Sequence, residues 1–418
     1  MFSVFLILVL SLPGAVPSAA YSVLSHEAII DAAWEDSIQP SLLKRFPNAT
    51  PEDLKGARAF AYGGSSIQDL GYYPFGSHLF SDLVHYVRTG DFITALLRNA
   101  NDIDEYAFAL GALAHYAADN NGHRIAVNRS VPVLYPKLRR KYGNEVTYDE
   151  DHVSHLRTEF AFDVLQVANG HYAPNSYHDY IGFKVSRNLL ERSFQETYSL
   201  ELKTVFSDFD LAMGSYRRSV SIVIPEMTRV AWDLKKDEIQ KDVPGITRQK
   251  FLYQLSRADY EHQWDTKYKG PGFGSRFLAF LVRIVPKIGP FRTLAFRTPT
   301  PQTETMFMAS FSATLKEYKD SLRAERESSN YSLVNDNLDT GIITGPGEYR
   351  LADEAYADLL DRLSAQHYDH LSPELRSIVL GYYGNLQGPF ATKANKKKWA
   401  KLVKEVDEIN GFTPVTAD

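Results

Sequence analysis

The spacing of apolar positions along most of this chain is helical. Apolar residues recur every three and four positions, a spacing that places them on one face of an α-helix. Regular alternation of apolar and polar positions, which would indicate β-strands, is scarce. The pattern therefore predicts an all-α protein with helices over residues 26–45, 77–90, 101–119, 151–168, 183–231, 305–325, 350–366 and 372–384.

Proline and glycine separate the predicted helices, and histidine is unevenly distributed between the two parts of the chain. Proline and glycine cluster at residues 269–274, 286–301 and 341–347, which indicates breaks between helices. Nine of the twelve histidines precede residue 235. We therefore predict a domain over residues 21–235 that carries the chemistry, and a helical C-terminal region over residues 236–418 that packs on it.

The first twenty residues are typical of a signal peptide. Residues 2–12 are mainly apolar, and small residues precede Tyr21 at the positions that a signal peptidase accepts. Cleavage after Ala20 would leave Tyr21 as the first mature residue. No lysine or arginine precedes the apolar core, so an uncleaved anchor is the alternative. We expect an exported protein, periplasmic or secreted, from a bacterium.

The composition agrees with an ordinary soluble globular protein. The chain has 418 residues, of which 44% are hydrophobic and 23% charged. A net charge of −5 argues against a general nucleic-acid binder, so we expect no stable nucleic-acid partner, and no obligate protein partner is evident. Because the chain has no cysteine, stability must come from packing or from bound metal rather than from disulfides.

Histidine followed four residues later by an acidic residue is the strongest chemical pattern. With 51 acidic residues among 418, chance gives twelve histidines about one or two such pairs, whereas the chain has four. Residues four apart project from one helix face, where an imidazole and a carboxylate can bind one divalent ion. The pairs are His78/Asp82, His115/Asp119, His155/Glu159 and His370/Glu374.

Two of these pairs belong to a larger group of candidate ligands. His115 and Asp119 follow the small apolar run "YAFALGALA", which is typical of a buried helix, although a histidine in such a helix is often an ordinary core residue. Residues 120–122, "NNG", are expected to form a turn that brings His123 towards a neighbouring ion. The complete group, in chain order, is His26, Asp69, His85, His115, Asp119, His123, His155 and Glu159.

This order of residues resembles the zinc-dependent phospholipase C and S1/P1 nuclease superfamily. The stretches "GSSIQDLGYYPFG", "FSDLVHY" and "ALGALAHYAADNNGH" also resemble the phospholipase C-like domain of the zinc-dependent and glycosylphosphatidylinositol-specific enzymes. The resemblance spans roughly residues 21–230. It implies a mostly helical fold that holds up to three zinc ions.

The resemblance also assigns the ligands. It implies one zinc site at Asp69, His85, His115 and Asp119, a second at His123, His155 and Glu159, and a third at Tyr21, His26 and the shared Asp119. In that family the first residue of the mature protein binds zinc through its backbone atoms. This residue is usually tryptophan, whereas here it would be a tyrosine. His78 and His152 compete with His85 and His155, and the interval from Asp119 to His123 is shorter than in the family. Nitrogen and oxygen ligands suit zinc, but these residue types alone do not distinguish zinc from manganese or iron.

The function implied is metal-assisted cleavage of a phosphodiester, with Asp69 as the catalytic residue that orients or deprotonates water. We expect a phospholipase C that hydrolyses the glycerol-side phosphate ester of phospholipids by means of a metal-activated water. A single-strand nuclease is the alternative, and a non-catalytic zinc-binding envelope protein is a second one. Residues 276–296 interleave apolar and basic side chains, as a membrane-interface segment would, or as a buried helix broken at Pro286 would.

Overall fold

The computed structural model describes residues 23–169, 184–219, 224–253, 295–328 and 330–414. Within these ranges the protein is all-α and contains no strand, which confirms the predicted fold class. Extended pairing among these residues is limited to a single antiparallel bridge between Asn337 and Ile342. In the same ranges, no helix is both long enough and apolar enough to cross a membrane.

The helices are numbered here in chain order. They are α1 (Val23–Ala33), α2 (Gln39–Arg45), α3 (Pro51–Gly64), α4 (His78–Tyr86), α5 (Thr89–Asn99), α6 (Ile103–Asn121), α7 (Asn128–Leu134), α8 (Pro136–Tyr142), α9 (His152–Asn169), α10 (Arg187–Tyr198), α11 (Leu202–Val205), α12 (Phe209–Arg218), α13 (Ile224–Asp242), α14 (Arg248–Tyr253), α15 (Pro301–Glu327), α16 (Arg350–Ala365), α17 (Pro373–Tyr382) and α18 (Lys396–Gly411). Two π-helical turns, Trp34–Ile38 and Gly122–Val127, and two 3₁₀ turns, Ile67–Tyr72 and Ala391–Ala394, complete the set.

Most predicted helices are present, but several are divided differently. Residues 26–45 form α1, a π-helical turn and α2, and residues 183–231 include α10, α11 and α12 as separate helices. Helix α3 was not predicted. Its side chains are mainly small or charged, so its apolar periodicity is weak, and its N-terminus is fixed by a capping box in which Thr50 and Asp53 exchange hydrogen bonds.

Helix α3 crosses α6 at a point where both helices have glycine. A Cβ on Gly64 would lie 1.9 Å from the Phe108 carbonyl oxygen, and a Cβ on Gly111 would lie 2.0 Å from the Ala61 carbonyl oxygen. Such distances are far below van der Waals contact, so only glycine permits this crossing. The contact holds the end of α3 against the helix that carries His115 and Asp119.

The C-terminal helices pack directly on the helices of the N-terminal part. The Tyr318 hydroxyl on α15 donates a hydrogen bond to the Leu110 carbonyl on α6, and Tyr106 donates one to Glu325. Buried apolar residues from α1 to α18 form one continuous hydrophobic cluster. The boundary proposed near residue 235 therefore does not coincide with a break in this core, and the division into two domains stays a prediction.

The N-terminus of α1 is buried and fixed by α9. The Leu24 amide and the Ser25 hydroxyl both donate hydrogen bonds to the carboxylate of Asp163, at 3.2 and 2.7 Å. These bonds satisfy backbone and side-chain groups that would otherwise be buried without partners. They fix the first turn of α1, on which His26 lies. Tyr21, the proposed ligand nearest to this turn, lies outside the described residues.

Candidate metal centre

His115 and Asp119 occupy adjacent turns on one face of α6, and both are fully buried. The Nδ1 atom of His115 lies 3.0 Å from the Ser65 carbonyl oxygen. A carbonyl can only accept a hydrogen bond, so Nδ1 carries the proton and Nε2 has a free lone pair. That Nε2 atom lies 3.1 Å from Oδ2 of Asp119. In the neutral form of the ring, the helix thus presents an imidazole nitrogen with a lone pair and a carboxylate oxygen to the same point.

His85 approaches the same point from α4. Its Nδ1 atom donates to the Ser81 carbonyl at 2.8 Å, which leaves its Nε2 lone pair free as well. This Nε2 lies 3.3 Å from Oδ2 of Asp119 and 3.4 Å from Nε2 of His115. Asp69, on the 3₁₀ turn Ile67–Tyr72, has its Oδ1 atom 3.6 Å from the same His85 nitrogen. Four buried side chains therefore converge, two with nitrogen and two with oxygen.

The donor set of this first group fits a metal ion. Neither carboxylate oxygen of Asp69 or of Asp119 has a hydrogen-bond partner among the described residues. Burial opposes ionisation of Asp119, but His115 and His85 outweigh it and hold the pKa of Asp119 well below its ordinary value. Burial likewise opposes charge on His85, yet Asp119 and Asp69 raise its pKa well above the ordinary value. The group therefore favours a positive charge at its centre, as a divalent cation would supply.

His26 lies beside the first group. Its ring stacks on that of His115 with centroids 4.4 Å apart, and its Nε2 atom lies 3.7 Å from Oδ1 of Asp119. Burial, together with the neighbouring His115, lowers the pKa of His26 well below its ordinary value, so its imidazole is neutral and able to bind a metal. His26, Asp69 and His115 can also present ligand atoms within 4.8 Å of one another.

His123, His155 and Glu159 form a second buried group. The Nε2 atom of His155 donates a hydrogen bond to the Val146 carbonyl at 2.8 Å, so Nδ1 is the nitrogen that carries the lone pair. This Nδ1 atom lies 3.4 Å from Oε1 of Glu159. The rings of His123 and His155 stack with centroids 5.4 Å apart. Burial lowers the pKa of His155 to about 3 and that of His123 to about 4, so both are neutral at neutral pH.

A π-helical turn, rather than the predicted turn at residues 120–122, separates the two groups. Helix α6 continues without interruption into Gly122–Val127. In an unbroken α-helix, residue 123 would lie on the same face as Asp119. The wider π-helical turn changes the helical phase, and π-bulges of this kind occur often at functional sites. His123 thereby contacts His155 on α9 instead of joining His115 and Asp119.

The structure adds one acidic residue that the sequence analysis missed. Asp339, in the C-terminal region, has its Oδ1 atom 3.4 Å from Nε2 of His123, and both side chains are 1% exposed. No local signal identifies Asp339, because it lies in a turn between helices and has no histidine four residues away. Its position depends entirely on tertiary packing.

The competing histidines lie apart from both groups. His78 and His152 are exposed at the first positions of α4 and α9, whereas His85 and His155 are buried two turns and one turn further along. Tyr148 lies between the competing and the chosen residues, with its ring 6.0 Å from that of His155 and 6.4 Å from that of Tyr72. The Tyr72 hydroxyl is buried and has no hydrogen-bond partner among the described residues.

Comparison with known proteins identifies the N-terminal part of the chain. Residues 25–208 match the sequence model of the family described as zinc dependent phospholipase C. No curated protein and no solved structure matched. The matched segment contains every candidate ligand from His26 to Glu159, whereas Asp339 lies beyond it. The part of the chain at residues 25–208 is therefore similar to the zinc-dependent phospholipase C family.

Proposed function

We propose that this protein is a zinc-dependent phospholipase C that hydrolyses the glycerol-side phosphate ester of phospholipids. The observation that carries the proposal is the convergence of two buried histidine–carboxylate groups within the segment that matches this family. The match of residues 25–208 to the family supports a zinc-dependent hydrolase, and the choice of a phospholipid substrate is our inference.

The ligands divide among up to three zinc ions. Asp69, His85, His115 and Asp119 would hold the first ion; His123, His155 and Glu159 the second; and Tyr21, His26 and the shared Asp119 the third. All these ligands are nitrogen or oxygen, which zinc binds at about 2.0 to 2.2 Å. When bound, zinc would lower the pKa of coordinated water and offset the negative charge of a phosphodiester.

Asp69 is the residue that would handle the proton of the attacking water. Both of its carboxylate oxygens are buried and lack hydrogen-bond partners among the described residues. Burial raises the pKa of Asp69 above its ordinary value in the metal-free protein, and a carboxylate next to the attacking water can act as its general base. As the water oxygen bonds to phosphorus, Asp69 would take up the water proton while the bond from phosphorus to the glycerol oxygen breaks. The departing glycerol oxygen would take up a proton from solvent and leave as diacylglycerol.

Tyr72 is placed to bind the phosphate. Its hydroxyl is buried near Asp82, Tyr148 and Asp339, and burial raises its pKa well above the ordinary value, so it remains a hydrogen-bond donor. A donor without a protein acceptor is costly to bury unless a ligand accepts from it. A non-bridging phosphate oxygen of the substrate would be that acceptor.

Access to a lipid surface is part of the proposal. Residues 276–296 would contact the membrane interface through interleaved apolar and basic side chains. Residues 276–294 of this segment lie outside the described residues. Export after cleavage of residues 1–20 would bring the enzyme to phospholipid outside the cytoplasm and would free the backbone of Tyr21 for the third site.

A parallel substrate assay tests the function. Zinc-loaded protein is incubated with phosphatidylcholine vesicles, with vesicles of other phospholipids and with single-stranded DNA, each with and without a chelator. Diacylglycerol and a phosphorylated headgroup, formed only without chelator, are the expected products. Cleavage of DNA alone would favour the nuclease alternative, and zinc binding without cleavage of any substrate would favour the non-catalytic one.

A further inference from the structure

The geometry points to Asp339 as a fourth protein ligand of the metal that His123, His155 and Glu159 hold. This inference rests on the metal binding in the proposed function. It assigns to the C-terminal region a direct part in the second metal site, although that region lies outside the segment that matches the family.

The two oxygens of Asp339 have different surroundings. Its Oδ2 atom accepts hydrogen bonds from the hydroxyls of Tyr86, at 2.9 Å, and Tyr349, at 2.5 Å. Its Oδ1 atom lies 3.4 Å from Nε2 of His123. Metal-binding carboxylates are commonly oriented by hydrogen bonds of this kind. The two tyrosines thus fix the carboxylate with Oδ1 directed towards the second group.

The contact between His123 and Asp339 is not a hydrogen bond. Neither ring nitrogen of His123 has a hydrogen-bond partner among the described residues, although Nε2 lies close to a carboxylate oxygen. Among the described residues, no lysine or arginine forms an ion pair with Asp339. A fully buried carboxylate without a basic partner is costly, and a shared cation would remove that cost. A metal ion bound by both side chains accounts for the 3.4 Å between His123 Nε2 and Asp339 Oδ1 and for the missing hydrogen bond.

Packing holds the turn at residues 337–342 against three helices of the N-terminal part, two of which carry ligands of the first group. The Leu338 amide donates to the His85 carbonyl at 3.0 Å, and the Asn128 side chain donates to the Asp339 carbonyl at 2.9 Å. Gly341 has a φ of +66°, and a Cβ there would lie 2.4 Å from the Asn120 carbonyl oxygen. The turn is therefore closely fitted to α4, α6 and α7, and Asp339 has a defined position.

Metal affinity in matched variants tests this role. Zinc-loaded wild type, Asp339→Asn and Asp336→Asn, all as the full chain, are dialysed against graded concentrations of a competing chelator, and the zinc left per chain is measured. Asp336 lies in the same segment and contacts Tyr116, but not the second group. We expect Asp339→Asn to release one zinc ion at a chelator concentration at least about tenfold lower than the concentration that wild type requires. The reason is that loss of a ligand should weaken zinc binding at least as much as loss of a group that orients a ligand. Asp336→Asn should match wild type.

Thermal unfolding with and without zinc separates a ligand from a structural residue. A ligand predicts that Asp339→Asn reduces the rise in melting temperature caused by zinc, while the melting temperature of metal-free protein changes little. Equal zinc release from wild type, Asp339→Asn and Asp336→Asn would overturn the inference and leave the proposed phospholipase activity standing. Wild-type protein that binds no zinc would overturn both.

A pair of tyrosine variants decides the question if Asp339→Asn does not fold. Tyr349→Phe removes one hydroxyl that orients Asp339, whereas Tyr382→Phe removes a comparable hydroxyl from buried Asp353, which has no contact with either group. We expect Tyr349→Phe to weaken binding of one zinc by about ten- to a hundredfold. Tyr382→Phe should retain zinc as wild type does. Equal retention by the two tyrosine variants would overturn the inference.

Discussion

The Nε2 atom of His115 and the Oδ2 atom of Asp119 lie 3.1 Å apart on successive turns of α6. The proton on Nδ1 of His115 is directed to the Ser65 carbonyl, so the 3.1 Å contact brings together a lone pair and a carboxylate. His26 and His85 approach the same carboxylate within 3.7 and 3.3 Å. Asp119 is therefore the carboxylate around which the first group is arranged.

Replacement of Asp119 is expected to have the largest effect of any single change in the site. Asp119→Asn should remove at least one zinc per chain and reduce phospholipid hydrolysis by about a thousandfold or more, because the proposed assignment gives this carboxylate to two metal ions. Helix content by circular dichroism should stay near wild type. Asp104→Asn, near the start of the same helix, is the matched control. Full activity in Asp119→Asn would show that Asp119 is not a shared ligand.

Paired histidine variants test which histidines bind metal. His85→Asn and His155→Asn should each lose one zinc, since both side chains are buried within the two groups. His78→Asn and His152→Asn should keep the zinc content of wild type, because both are exposed at the starts of α4 and α9. Metal analysis of the four purified variants makes the comparison. Zinc loss from His78→Asn or His152→Asn alone would reverse the assignment.

The candidate ligands show what sequence can predict. The His115/Asp119 and His155/Glu159 pairs are local, because helical spacing alone places their members on one face. The meeting of His85 with His115 depends on how α4 and α6 pack, and here the family resemblance supplied what spacing could not. Asp339 was missed because no local spacing connects a C-terminal turn to His123. Helix α3 was missed because close packing against α6 requires small residues, which weakens the apolar pattern.

The glycine crossing of α3 and α6 gives a prediction about stability. Gly111→Ala should lower the free energy of unfolding by about 2 kcal/mol or more, since its Cβ would lie 2.0 Å from the Ala61 carbonyl and 2.9 Å from the Ser65 amide. The strain would also shift Ser65, which orients His115, so zinc affinity should fall. Gly214→Ala, at an exposed position of α12 with no atom within 4 Å of the new Cβ, should be neutral or stabilising. Equal stability of the two variants in chemical denaturation would disprove the close packing.

Asp82 should make the stability of metal-free protein depend on pH. Burial, reinforced by Asp358 and Asp339, raises its pKa from 3.8 to about 7. Between these two values the folded state binds more protons than the unfolded state, so this contribution to stability is lost as the pH rises from about 4 to about 7. The Asp82→Asn substitution removes this pH-dependent loss of stability, because asparagine does not ionise. The variant should therefore melt at the wild-type temperature near pH 4 and several degrees higher at pH 8.

The control for Asp82 is Asp237→Asn, which removes the same charge from an exposed position on α13. It should shift the melting temperature by a similar small amount at both pH values. A melting temperature of Asp82→Asn that follows wild type from pH 4 to pH 8 would show that the Asp82 carboxyl is not held protonated by its surroundings.

Anomalous diffraction at the zinc absorption edge determines whether the two buried groups are zinc sites. Crystals of zinc-loaded protein should show one anomalous peak within about 2.0 to 2.2 Å of ligand atoms of Asp69, His85, His115 and Asp119. A second peak should lie at the same range from His123, His155 and Glu159. Crystals in which zinc lies only at other positions, or which show no anomalous density at either group, would show that the two buried groups are not zinc sites.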